Sequence, residues 1–408
     1  MKRRSVLQGL GALPLLSSRA ARAENARLSI GRLEVFRIHV NRRGNWIIPR
    51  LSTTSGLTGL GDASQSLNDA QCLTYLKQFA DLLKGRAALE VEWFRRAVAP
   101  TLAITGSYGR TPAAVAASAL EQCLWDIQGK ALSLPCHDLM GGRIQQHIRL
   151  YANINRSTDP RTPDGFAAMA GKALADGFDA FKLAPFDDMP RGIHLLPNGG
   201  ADRVKFERAM EAGIACAGAV RQTIGDQRDL LVDAHSHFTP SEGIDLMARM
   251  RSLNLYWLEE VTPAQNAEHL AVIRKAAPMP TAGGEGIHGV EGFYPYIRAG
   301  AADIVMPDVK VCGGMLELKK IAALAEGAGL LVSPHGPASP IGNAAAAHVV
   351  ATAPNFNILE FSYGEVPWRA ELTDPPEQVE KGALVLNGRP GLGLALNEEI
   401  AARYAVTS

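Results

Sequence analysis

At 408 residues the chain is too long for one ordinary hydrophobic core, and two domains are expected. Hydrophobic residues make up 47% and the formal net charge is +1. That globular balance argues against nucleic acid or an anionic membrane as partner. The chain opens with Lys2-Arg3-Arg4-Ser5-Val6-Leu7, a short apolar stretch to Leu16, and Ala21-Arg22-Ala23. This reads as a basic head, an apolar run too short to span a bilayer, and an A-x-A cleavage site. The paired arginines resemble a twin-arginine export signal, with Val6 and Gln8 at positions where Phe and Lys are usual. An ordinary secretory signal is the alternative. Either way residues 1–23 are expected to be removed and the protein to be periplasmic or exported.

Residues from Arg27 to Ser64 read as a three-stranded meander with a Gly-rich tail. Helical patterns follow at 67–84, 88–98 and 112–131. The last has Pro112 near its start and apolar residues at three- and four-residue steps. From Ile148 to Tyr363 short apolar runs alternate with helical segments, and each run ends on a polar residue. In order these are Asn153 and Asn155, Lys182, Asp233, Glu259, Glu285, Asp308, His335 and Glu360. Asp233, Glu259 and Glu285 follow one another at 26-residue intervals, which suits one strand–helix unit of a (β/α) barrel. After the second run, Pro185-Phe186-Asp187-Asp188 leads into a polar stretch to Asp202, longer than a usual connection. The five cysteines, Cys72, Cys123, Cys136, Cys216 and Cys312, form no close pair and read mostly as buried thiols, with Cys312 near the barrel mouth.

Each polar residue taken singly could be a strand-ending group that caps the next helix. The recurrence at one period favours a shared site at the C-terminal strand ends. Three carboxylates converging there repel unless a cation sits among them, and a hard divalent ion such as Mg²⁺ takes oxygen ligands. Glu260 is the alternative ligand to Glu259, and strand alternation should turn it away. The same alternation should put His235 on the side of the strand that Asp233 faces.

The order of Val232-Asp233-Ala234-His235, Trp257-Leu258-Glu259-Glu260, Gly284-Glu285-Gly286, Met306-Pro307-Asp308 with Gly313-Gly314, and Ser333-Pro334-His335 resembles the enolase superfamily and its mandelate racemase group. The resemblance runs from Arg27 to the C-terminus. It implies an α/β protein: a (β/α)₇β TIM-like barrel at 148–365, an N-terminal α+β capping domain at 24–147, and a segment at 366–408 returning to the cap. It also implies Mg²⁺ held by Asp233, Glu259 and Glu285, and removal of a proton next to a carboxylate. The base is then His335, with Asp308 fixing its tautomer and basicity; a Lys or His base with Mg²⁺ is the general pattern for this superfamily.

On the other face mandelate racemase carries Lys-x-Lys, whereas this chain has Lys182-Leu183-Ala184. Lys182 is left to neutralise the substrate carboxylate. The Asp233-x-His235 motif is similar to that of galactonate and other acid-sugar dehydratases, in which the histidine protonates the departing hydroxyl. Glu360, Asn153 and Asn155 are candidate substrate contacts. The resemblance also puts the segment Asn41 to Arg50 at the mouth, with Arg42, Arg43, Trp46 and Arg50 as candidate contacts. The expected activity is dehydration of a sugar acid; racemisation, epimerisation or cycloisomerisation of a carboxylate on the same site is the alternative. A small-molecule substrate and an assembly of like subunits are the expected partners. Two rivals have less support. His235-Ser236-His237 as a metal-dependent amidohydrolase H-x-H lies on the wrong strand and lacks the further ligands. A non-catalytic binding protein would not need a base.

Overall fold

The computed structural model describes residues 28–42, 44–106, 109–189 and 200–406. The expected export signal, Arg43 and most of the polar stretch after Asp188 lie outside the described residues. An antiparallel meander, β1 (Ile30–Asn41), β2 (Gly44–Thr53) and β3 (Thr58–Leu60), opens the chain. Helices α1 (Asp69–Leu83), α2 (Val91–Gly106), α3 (Pro112–Leu132) and the one-turn α4 (Cys136–Leu139) follow. The chain then alternates through β4 (His147–Asn153), α5 (Pro163–Ala175), β5 (Ala180–Leu183), α6 (Gly200–Ile224), β6 (Asp229–Asp233), α7 (Pro240–Met250), β7 (Trp257–Glu259) and α8 (Ala267–Ala276). It continues with β8 (Thr281–Gly283), α9 (Gly289–Arg298), β9 (Ile304–Val305), α10 (Met315–Gly327), β10 (Leu331–Val332), α11 (Pro340–Val350) and β11 (Leu359–Ser362).

Strands β4 to β10 pair in sequence as parallel neighbours. β11 returns to pair in parallel with β4, and a bridge from Val332 to Phe356 joins the last gap. The ring is a closed eight-stranded barrel with seven helices, (β/α)₇β. Helices α3, α5, α7 and α11 start alike: Thr111-Pro112, Thr162-Pro163, Thr239-Pro240 and Ser339-Pro340, with the hydroxyl accepting a backbone N–H of the first turn. The hydroxyl satisfies a donor the helix leaves open, and proline fills a position with no bond to lose.

Inside the barrel Tyr151, Ala180, Leu231, Trp257, Ala282, Ile304, Met306 and Ile358 form a buried apolar plug. Strand side chains repeat their direction every two residues. Two positions beyond the plug residues therefore come Asn153, Lys182, Asp233, Glu259, Asp308 and Glu360, in one polar layer above a dry floor.

α3 is buried on nearly every side and lies between the meander and the barrel. Gly59 and Gly61 let the meander rest on it: a Cβ at Gly61 would sit 2.0 Å from the Ala119 carbonyl oxygen, and one at Gly59 2.1 Å from that of Cys123. The other side of α3 grips the barrel. Glu121 accepts the backbone N–H groups of Met315 (2.7 Å) and Leu316 (3.0 Å) at the start of α10. The Ser118 hydroxyl accepts from Gly313 N, and Gln122 Nε2 donates to the Val309 carbonyl. Asp62 accepts both the amide and the hydroxyl of Ser339, and Gln65 donates to the Pro337 carbonyl.

The C-terminal segment contributes β12 (Thr373–Asp374), β13 (Val379–Glu380), β14 (Ala383–Val385), β15 (Ala395–Leu396) and α12 (Glu398–Arg403). β14 adds antiparallel to β4, and the chain end bonds back to β1 through His39 N to Tyr404 O and Val406 N to Arg37 O. All five cysteines are buried and unpaired with one another. Cys312, expected near the mouth, follows Asp308 past the end of β9 and is buried with its thiol on the Gly314 carbonyl; burial pushes it well above the usual thiol range. No described helix is long and apolar enough to cross a membrane.

Two glycine variants test the packing. Gly61→Ala drives a methyl into backbone and should cost about 1–3 kcal/mol. Gly218→Ala, in α6 with nothing within 4 Å of the added carbon, should be neutral or stabilising by up to about 1 kcal/mol. Urea unfolding monitored by circular dichroism compares them, and equal stabilities would refute the assignment of Gly61 to a close approach.

Candidate active site

Asp233 and Glu259 end β6 and β7 in direct register, and Glu285 follows the Gly283-Gly284 turn after β8. One oxygen from each lies within 4.8 Å of the others. Each carboxylate has one oxygen tied by a neighbour. Asp233 Oδ1 accepts from His235 N at 2.9 Å, Glu259 Oε2 from Trp257 Nε1 at 2.9 Å, and Glu285 Oε1 from Arg110 Nη2 at 3.0 Å. Asp233 Oδ2 and Glu285 Oε2 are buried and make no well-aligned hydrogen bond among the described residues, with imidazole Nε2 atoms of His235 and His335 at 3.0 and 3.1 Å. Buried carboxylate oxygens so weakly satisfied are costly, and an all-oxygen donor set suits a hard divalent cation. The residues present therefore fit such an ion.

Lys182 stands beside them. Its Nζ lies 2.5 Å from Glu259 Oε1, 3.3 Å from Asp233 Oδ2 and 3.6 Å from Glu360 Oε1. Burial opposes its charge, but Glu259 and Glu360 outweigh burial and hold it cationic. Burial and the adjacent Asp233 push Glu259 well above the usual carboxylate range. Asp233 goes the other way: burial raises it, and His235 and Lys182 together draw it far below.

Glu260 is turned away from the trio, as alternation implies, though it remains buried. Its backbone is left-handed (φ 45°) and its buried carboxylate folds back to accept from Gly284 N at 2.7 Å and the Ser236 hydroxyl at 3.3 Å. It braces the turns after β6 and β8 and stands outside the trio. Burial and Glu285 push it up to about 7.

Across the barrel His335 Nδ1 meets Asp308 Oδ2 at 2.7 Å. Its Nε2 lies 3.1 Å from Glu285 Oε2 and 3.8 Å from Glu360 Oε2. Lys310 grips both oxygens of Asp308, at 3.0 and 2.8 Å. Burial raises Asp308, but Lys310 and His335 hold it well below the usual range.

His235 reaches the site by a different route from the one alternation implies. β6 ends at Asp233, and left-handed backbone at His235 (φ 44°) and Ser236 (φ 60°) turns the ring back over the strand end. Its Nδ1 bonds Asp187, and its Nε2 lies 3.0 Å from Asp233 Oδ2. Asp187 is held by Asn155 Nδ2 (3.0 Å) and Arg161 Nη2 (3.2 Å). Burial opposes a charge on His235, but Asp233 and Asp187 outweigh it and raise the imidazole well above its usual range. His237 is buried, and no histidine joins the carboxylate trio among the described residues.

Glu360 accepts from Asn153 Nδ2 at 2.5 Å and Gly336 N at 2.8 Å. Against burial, Lys182 and His335 draw it down to about 2. Asn155 is committed to Asp187 and Arg161. Trp46 and Arg50 belong to β2, the second strand of the meander. Trp46 is buried edge-on to Trp368, and Arg50 pairs with Glu34 and Glu398 while lying 4.8 Å over Phe36. Neither joins the converging groups. Arg42 is exposed in the turn. Four residues found here escape a reading of the sequence: Arg110, Asp187, Arg161 and Lys310. Of these only Asp187 carried a signal, in the unusual length of its loop.

Residues 165–400 match the enolase C-terminal domain-like family, and residues 35–141 match the mandelate racemase / muconate lactonizing enzyme N-terminal domain. A D-galactonate dehydratase family member of Streptomyces bingchenggensis is 31% identical, covering 88% of this chain and 90% of its own. The D-xylonate dehydratase of Haloferax volcanii is 28% identical, covering 88% and 85%. The crystal structure of a mandelate racemase/muconate lactonizing enzyme-like protein from Rubrobacter xylanophilus superposes with a TM-score of 0.84 at 30% identity, covering 93% and 98%. With both parts of the fold matched over most of its length, the chain belongs to the mandelate racemase/muconate lactonizing enzyme family of the enolase superfamily.

Proposed function

We propose that the protein is a Mg²⁺-dependent hydro-lyase that dehydrates a sugar acid to its 2-keto-3-deoxy product. One observation carries this. Two Asp–His pairs, Asp308–His335 and Asp187–His235, have their histidines at the seventh and third strand ends of an eight-stranded ring, and so face each other across the mouth. A dehydratase needs a base on one side of its substrate and an acid on the other. The names of the relatives, dehydratases of D-xylonate and of the D-galactonate family, support the sugar-acid class.

Asp233, Glu259 and Glu285 would hold the ion, which as a Lewis acid offsets charge developing on the substrate carboxylate. Lys182, kept cationic by its neighbours, pairs with the same carboxylate. His335 donates its Nδ1–H to Asp308, which leaves Nε2 free to take the α-proton. His235, held between Asp187 and Asp233, gives a proton to the departing β-hydroxyl. The C–H and C–O bonds break, water leaves, and the enol becomes the 2-keto acid. Ala184, where a second lysine base would stand, disfavours a two-base racemase. The Arg3-Arg4 pair and the Ala21-Arg22-Ala23 site support export of the folded enzyme. Assembly from like subunits is part of the same proposal.

Incubation with Mg²⁺ and a panel of mono- and diacid sugars, followed by proton NMR in D₂O, tests the reading. A C2 epimer with no keto acid would overturn it. Chelation should abolish turnover, and Asp233→Asn or Glu285→Gln should remove Mg²⁺ binding and activity together; full activity after exhaustive chelation would sink the metal assignment.

His335→Asn should slow α-proton exchange with solvent by about 10²–10⁴-fold while substrate still binds. Asp308→Asn should slow it by about 10–100-fold. Normal exchange in the His335 variant would move the base elsewhere.

His235→Asn should lose keto-acid formation yet retain α-proton exchange, because that half-reaction needs only base and cation. Loss of both in a folded variant that still binds Mg²⁺ would remove His235 from the acid role.

A further inference from the structure

We infer that Arg110, contributed by the cap, is a positioning residue for the cation site. The inference rests on the reading of Asp233, Glu259 and Glu285 as cation ligands. Arg110 lies in the segment between α2 and α3, and its neighbour Gly109 forms a β-bridge with Ile287, two residues beyond Glu285. Its Nη2 bonds Glu285 Oε1 at 3.0 Å and stands 4.0 Å from Asp308 Oδ2. The Arg110 side chain is mostly buried, and its Nε has no acceptor among the described residues. A guanidinium in that position is not there for its own solvation.

Each of the three acids has one oxygen held by an orienting donor and the other turned to the pocket, where that of Glu259 meets Lys182. For Asp233 the holding donor is the His235 amide, and for Glu259 it is the Trp257 indole. Both donors come from the barrel and lie two residues from the acid they hold. Glu285 leaves the barrel after the Gly283-Gly284 turn, which removes the pleat that aims the other two. Its orienting donor must come from elsewhere, and Arg110 is that donor. With Oε1 fixed, Oε2 is left buried in the pocket without a well-aligned hydrogen bond. The barrel thus carries all three ligands, and the cap aims one of them. Partners that orient a ligand typically matter about 10–100-fold in metal affinity.

Isothermal titration of the metal-free full-length protein with MgCl₂ tests this. Arg110→Gln should raise the dissociation constant about 10–100-fold, with the melting temperature of the metal-free protein unchanged. Arg110→Lys keeps the charge and one donor and should fall between wild type and Arg110→Gln. Unchanged affinity in Arg110→Gln overturns the inference, and so does tighter binding, which would make Arg110 a competitor for Glu285. A loss of affinity matched by a fall in the metal-free melting temperature overturns it too. If Arg110→Gln does not fold, Arg110→Lys decides, and wild-type affinity in that variant is the contrary result. A wild type that takes up no Mg²⁺ sinks the cation reading itself; wild-type binding with an unaffected variant sinks only the role of Arg110.

Discussion

Four buried carboxylates, with a fifth partly buried at their edge, set the terms for everything around them. Asp233, Glu259, Glu285, Asp308 and Glu360 close the top of a barrel whose interior is hydrocarbon. A lone buried charge costs several kcal/mol after relaxation. No such cluster can stand without positive partners and donors supplied to nearly every oxygen. Lys182, Lys310, Arg110 and His235 are those partners, and each arrives from a different strand end or loop. The density of the network is a condition for having the site at all.

That condition also decided what could be read from the chain. Lys182, Asp233, Glu259, Asp308 and Glu360 were legible because each lies two residues past an apolar residue that faces the barrel axis. Period-two geometry carries that inference without further help. His335 was legible from the rhythm of the units. Arg110 meets Glu285 across 175 positions of sequence, and no local pattern announces such a meeting. Asp187 and Arg161 meet their partners through loop shape. His235 was placed on the correct side for the wrong reason, since a left-handed turn brings it there and the pleat does not. Trp46 and Arg50 lie in the second strand of the meander, as the pattern of that segment implies, and their side chains are engaged with Trp368 and with Glu34 and Glu398. The Ile47-Ile48 pair inside that strand is fully buried and marks a core strand.

The two Asp–His pairs share one detail. In both, Nδ1 faces the aspartate and Nε2 faces the pocket. An aspartate on Nδ1 fixes that nitrogen as the proton-bearing one. What differs is the company of Nε2. At His335 it faces Glu285 at 3.1 Å and Glu360 at 3.8 Å, whereas at His235 it faces Asp233 at 3.0 Å. In the proposed dehydration the two side chains serve as base and acid from opposite sides of the barrel.

The meander rests on α3 with two glycines, and α3 in turn is pinned to the barrel by Ser118, Glu121 and Gln122. A swinging motion of cap against barrel would have to expose the Glu121 carboxylate and strip the first N–H groups of α10 of their acceptor. Changes to what the enzyme admits therefore belong at residues outside this joint.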